Sequence, residues 1–278
     1  MQESGWRRAR FSALIPLPAR PLPLMALITD PLFYAFACPA VVFLGLSKGG
    51  FSGIGMVATP LLALVMPPLE AAAILLPIIL LQDALSTWIY RREWDPWNLK
   101  VLIPGAVLGV AAAWLLAAYV SDAAIRLVVG LIALVFALHA WLYRGQTEVR
   151  PAPNPALGGV AGGLAAFTST LIQIGAPPYY AYVLPQRLPK MLYVGTTVWF
   201  FATVNVMKVA PYVGLGQFSS AGLATSAALF PLAIAANYFG VWLVRVTPEQ
   251  LFYRITYVLV FLLGLELTRQ GAWDIVTR

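Results

Sequence analysis

Gly45-Leu46-Ser47-Lys48-Gly49-Gly50-Phe51-Ser52-Gly53-Ile54-Gly55 interrupts an apolar segment that runs from Pro31 to Met66. Without the interruption the segment is long enough to cross a bilayer, which takes about 20 apolar residues. Glycines at 45, 49, 50, 53 and 55 each weaken a helix, so the expectation is a broken or unwound one. Lys48 sits inside the break, and a charge at membrane depth needs a partner, a water-filled cavity or a function. Ser47 and Ser52 add hydroxyls, and unwound backbone adds N–H donors. Buried in a membrane protein, such a break is a place to hold an anion.

Composition supports that setting. The chain has 278 residues, 60% hydrophobic and 10% charged, with a mean hydropathy of +0.80. Soluble domains carry about 25% charged residues. Apolar stretches cover nearly the whole chain, which leaves no room for a soluble domain. The net charge of +7 is read as cytoplasmic loop charge under the positive-inside rule. No basic stripe with interleaved aromatics points to nucleic acid. Cys38 is the only cysteine and His139 the only histidine. Intrachain disulfides and cysteine-ligated clusters are therefore excluded, and His139, late in an apolar helix with no second His or Cys to join it, is read as a packed or interfacial residue in preference to a metal ligand. No Walker motif is present and no catalytic triad can be assembled, so neither ATP-driven work nor enzyme chemistry is expected, and no cofactor.

The expected fold is an all-α integral membrane protein of about eight transmembrane helices in two repeats of about four, each opening with a broken Gly-rich helix. Residues 1–30, with Arg7, Arg8, Arg10, Arg20 and several prolines, read as a cytoplasmic arm. The first membrane repeat covers 31–143, a polar linker 144–156, the second repeat 157–268 and a C-terminal tail 269–278. Helices are expected at about 71–90, 99–119, 121–143, 191–212, 220–244 and 251–267. Gly105 and Gly109 have the small-xxx-small spacing of close helix packing. If all these segments cross, the cytoplasmic side collects the N-terminal arginines with Arg91, Arg92, Lys100, Arg144, Arg150, Arg269 and Arg278. Arg187, Lys190 and Arg245 then lie outside. That places both termini in the cytoplasm and gives the halves one orientation; re-entrant hairpins instead of crossings would change the conclusion.

Several motifs are shared with a known family: Gly45 to Gly55, Pro60, Leu61-Leu62 and Tyr90-Arg91-Arg92 in the first half. In the second they are Gly158-Gly159-Val160-Ala161-Gly162, Ile174-Gly175-Ala176-Pro177-Pro178, Gly195-Thr196 and Asn205-x-x-Lys208. On these the chain resembles the sulfite exporter TauE/SafE family, also called the toluene-sulfonate uptake permease type, over roughly Leu32 to Leu267. The resemblance implies export of small sulfur-containing anions across a bacterial-type inner membrane. Where many members have a third consecutive glycine, this chain has Lys48-Gly49-Gly50 and Gly175-Ala176-Pro177, which leaves the exact substrate open.

Candidate anion ligands follow from the residues. Lys48 supplies a point charge, Gly49 and Gly50 backbone donors, and Ser52 a hydroxyl. Thr168, Ser169, Thr170 and Gln173 form a polar cluster before Gly175, where a half-helix end would aim donors at an anion. Those hydroxyls could equally bond back to their own helix. Thr196, Asn205 and Lys208 complete the substrate-binding set, Asn205 lying one turn before Lys208. Asp83 is either a proton-coupling carboxylate or the ion-pair partner of Lys48. Two functions remain: a secondary transporter of small anions, or a passive anion or solute channel. The partners expected are a small anionic substrate and the lipid bilayer, with no nucleic acid; a homo-oligomer stays open.

Overall fold

The computed structural model describes residues 27–51, 54–116, 119, 121–142, 153–214 and 218–277. Ser52, most of the N-terminal arm and most of the 144–156 linker lie outside the described residues. Among these the chain is helical, without strands: α1 (Pro31–Gly49), α2 (Ala58–Leu62), α3 (Pro68–Ile89), α4 (Pro96–Leu116), α5 (Asp122–Leu142), α6 (Pro155–Ile172), α7 (Ala176–Val183), α8 (Lys190–Gly214), α9 (Ser220–Val246) and α10 (Glu249–Val276). Seven of them are long and apolar enough to cross a membrane, and Ala123–Leu138 within α5 is a shorter apolar helix. Helix α10 runs through the segment expected as a tail. An Arg126–Asp274 ion pair at 3.0 Å fixes its end to the start of α5.

The broken segments are hairpins. Helix α1 starts on an Asp30 cap with Pro31 at its first position, and α6 starts alike on Asn154 and Pro155. α1 stops at Gly50, whose φ of 138° no L side chain adopts without strain. Gly50 N–H donates to the Ser47 carbonyl and Phe51 N–H to that of Leu46, the paired bonds that close a helix end. Beyond the stop the chain doubles back: Gly55 lies against Ser47 and Leu44. α6 stops at Gln173, in the left-handed region at φ 59°. α7 returns beside it, bringing Gly175 against Ser169 and Tyr182 against Gly158.

Contacts give each helix a direction. Along α1 and α3, Val41, Lys48 and Gly49 carbonyls accept from Gln82, Ser86 and Tyr90 in turn, so the two run parallel. Gly45 meets Ala236 and Gly49 meets Gly240, so α9 runs with them. Gly105 faces Gly159 and Gly109 faces Gly163, so α4 and α6 are parallel, packed closely enough to leave no room for a Cβ on α4. Asp83 meets Asn205, and Glu93 meets Gly195, so α8 runs against α3. Gly130 and Gly271 bring α5 and α10 together antiparallel. The corresponding elements of the halves (α1 and α6, α3 and α8, α4 and α9, α5 and α10) therefore point in opposite directions. A shared orientation of the halves does not hold, because each half has a hairpin where a crossing was counted.

The grouping of loop charges changes for the same reason. Arg91, Arg92 and Lys100 lie at the end of the molecule away from the start of α1 and the end of α10, together with Arg187, Lys190 and Arg245. Lys190 there donates to the Val244 and Thr247 carbonyls at the end of α9. Positive charge is thus divided between the two faces.

Candidate functional site

The two hairpin tips meet around one cavity of about 90 Å³, several times the ~10–15 Å³ that holds a single water. Helical periodicity selects what faces it. From α8 come Thr197, Phe201, Asn205 and Lys208, spaced by three or four residues along one stripe. Helix α3 gives Ile79 and Asp83, α1 gives Leu44, Ser47 and Lys48, and α6 gives Ser169 and Gln173. Gly175 and Ala176 close the wall.

Its polar groups form two linked sets. Lys48 Nζ stands 2.7 Å from Asp83 Oδ1, and Asn205 Nδ2 donates to Asp83 Oδ2 at 2.7 Å. The carboxylate is 3% exposed, so its charge is met by an ammonium on one oxygen and an amide on the other, as a buried ion requires. One turn along α8, Lys208 Nζ donates to Ser169 Oγ at 2.7 Å and to Gln173 Oε1 at 3.1 Å. Gln173 in turn donates to the Tyr212 hydroxyl at 2.9 Å. Lys208 is 1% exposed, and both acceptors are neutral. Thr197 shares a hydrogen bond of 3.0 Å with the Tyr179 hydroxyl.

Of the expected ligands, Lys48, Ser169, Gln173, Gly175, Asn205 and Lys208 line the cavity together with Asp83. Others point elsewhere. Thr168 and Thr170 donate to the Leu164 and Ala166 carbonyls of their own helix. Thr196 donates to the Leu192 carbonyl and accepts from Asp95 N–H. The Gly49 carbonyl is taken by the Tyr90 hydroxyl at 2.6 Å, and its Cα packs on Gly240. Gly50 lies between Val194 and Val244. Gly45 and Gly49 stay helical and serve close packing on α9; the break itself begins at Gly50. Pro177 and Pro178 near the start of α7 carry no N–H, so that helix end offers fewer donors than expected. Phe201, Ile79 and Leu44 were not anticipated as lining residues, although the 3.6-residue period counted from Asn205, Asp83 and Lys48 reaches all three.

Behind the cavity, Gln82, Ser86 and Tyr90 follow one face of α3 and donate to carbonyls at the end of α1 or on α9. Asn237 of α9 donates to Ser86 Oγ at 2.8 Å. These bonds satisfy carbonyls that a helix end leaves without partners, and they hold Lys48 in place.

A family model, Sulfite exporter TauE/SafE, matches residues 37–267. The chain belongs to that family. The match covers both hairpin tips and every residue that lines the cavity, and a TauE/SafE member with this set of apolar helices is a multi-pass membrane transport protein. No curated protein and no solved structure gives a significant match.

Proposed function

We propose that the chain is a secondary transporter of small sulfur-containing or organic anions, of the sulfite or sulfonate kind, acting as an exporter, and that the anion binds in the cavity between the hairpin tips. One observation carries the reading. Lys208 is buried in that cavity and its hydrogen-bond partners among the described residues, Ser169 and Gln173, are neutral, so its protonated form lacks a counter-ion that an anion can supply. Ser169 and Gln173 bond it and can turn donors of their own toward an oxyanion. Lys48 is already paired with Asp83 and contributes once that pair opens. Asp83 is the proton-coupling group, since among the described residues it is the one carboxylate that lines the cavity.

The opposed helix directions in the halves support an inverted repeat, the arrangement that lets a transporter expose one central site to each side in turn. The full fold then has two hairpins and six crossings. Sulfite flux into proteoliposomes tests the function. Wild-type protein is expected to give saturable flux that responds to an imposed proton gradient. Lys208→Ala is expected to abolish it, and full flux in that variant refutes the site. Flux that ignores gradients and never saturates identifies a passive channel.

A further inference from the structure

Among the described residues, the ionisable side chains lining the cavity are Lys48, Lys208 and Asp83. The Lys48–Asp83 pair cancels itself at 2.7 Å, and Lys208, bonded to neutral Ser169 and Gln173, has no counter-ion among the described lining residues when it is protonated. Away from bulk water an unmatched charge is costly, so the cavity is balanced when it holds a single negative charge. We propose, on the basis of the anion-transport reading above, that the site is matched to a monoanion and accepts a dianion only together with one proton, carried by Asp83.

Asp83 is placed for this. Its carboxylate is an anion held by an ammonium on one oxygen and an amide on the other, a donor set that a second substrate charge would also use. While ionised it occupies Lys48. Protonated, it releases the Lys48 ammonium toward the cavity, where two lysines then face the two charges of the ligand. The groups facing Asp83 from its neighbours are Lys48 on α1 and Asn205 and Lys208 on α8. α9 presents neutral Asn237 to the same helix, and α2 carries no ionisable side chain. Asp83 is therefore the residue that sets which substrate charge is accepted and links dianion binding to protons.

Calorimetric titration of the purified full chain, in buffers of different ionisation heat, counts protons taken up on binding. Methanesulfonate serves as the monoanion and thiosulfate as the dianion, since each keeps its charge from about pH 6 to about pH 8. Methanesulfonate is expected to bind without proton uptake and with a flat pH profile. Thiosulfate is expected to take up about one proton and to lose affinity about tenfold per unit rise in pH, because the proton it needs becomes scarcer. In Asp83→Asn, which imitates the protonated acid, thiosulfate binding should become independent of pH and release or take up no proton. Asp83→Glu keeps a titrating group and should keep the uptake. Thiosulfate binding without proton uptake in the wild type overturns the proposal. So does uptake that persists in Asp83→Asn, or uptake with methanesulfonate, either of which assigns the proton to Lys208. Failure of wild-type protein to bind either anion is a different result and removes the anion-transport reading itself.

Discussion

At the first hairpin tip the chain turns on Gly50, and the lysine beside it is neutralised by Asp83. At the second it turns on Gln173, and the lysine it faces, Lys208 from α8, has only neutral partners. One tip is electrically closed and the other open. On the proposed reading, two halves of similar layout divide the work: the first holds a charge pair that can be opened, and the second holds the lysine that takes the counter-ion. If that contrast is correct, equivalent mutations at the two lysines have opposite consequences for stability.

The largest effect is expected at the closed tip. Asp83→Ala leaves Lys48, whose side chain is only 14% exposed, without its carboxylate, and breaking one side of a buried pair costs about 3–5 kcal/mol, an upper bound here. The double replacement Lys48→Met with Asp83→Leu should recover most of that, since apolar side chains replace a buried pair at little cost. Thermal unfolding of the purified variants reads both. Equal stability of Asp83→Ala and wild type would mean that the pair is not a buried one, and the contrast fails.

Next comes the open tip. Lys208→Met removes a buried amine whose hydrogen-bond partners among the described residues are neutral, so stability should be unchanged or higher. Anion binding should fall by about 30-fold to 1,000-fold, the ~2–4 kcal/mol carried by a buried charged hydrogen-bonding group. Titration with sulfite beside the melting curve separates the two effects. Loss of stability together with binding would make Lys208 a structural residue like Lys48.

Much of this contrast is visible in the amino-acid sequence, and what is missing has physical causes. Lys48 and Lys208 stand out because charges inside apolar runs are rare and expensive. Both breaks show as glycine-rich interruptions, yet glycine alone does not say whether it unwinds a helix or lets another approach. Gly50 ends α1, whereas Gly45 and Gly49 remain helical against Ala236 and Gly240. Direction is not legible at all. Hydropathy counts apolar residues without a sign, so a hairpin and a crossing look alike, and one miscounted crossing, at the first hairpin, grouped Arg91, Arg92 and Lys100 with the end of α10 instead of with Lys190 and Arg245.

The turns themselves differ by a smaller margin. Gly50→Ala should cost about 1–3 kcal/mol, because its φ of 138° is strained for any L residue and an added Cβ would stand 2.8 Å from Val244 Cγ2 and 2.9 Å from Val194 Cγ1. Gln173→Gly relieves a left-handed φ of 59°, so the backbone gains while Lys208 loses one acceptor. Its melting temperature should stay near wild type, and anion affinity should change by less than about tenfold, the ~1 kcal/mol scale of one hydrogen bond. A large drop in stability for Gln173→Gly and none for Gly50→Ala would reverse the roles of the two turns.

The smallest and most local test lies within three consecutive residues of α6. Thr168, Ser169 and Thr170 are chemically similar, and composition gives no reason to choose among them. Geometry does. Successive helical residues are about 100° apart, so only the middle one faces Lys208, and its hydroxyl accepts the ammonium at 2.7 Å. Its neighbours spend their hydroxyls on the Leu164 and Ala166 carbonyls, bonds that add little because those carbonyls are already in the helix ladder. Ser169→Ala should therefore weaken sulfite binding by about fivefold, near 1 kcal/mol. Thr168→Val and Thr170→Val, which keep the shape and remove the hydroxyl, should leave it unchanged. An equal effect at all three positions would mean that α6 presents a polar surface and not a single ligand, and the open tip would lose its specific link to Lys208.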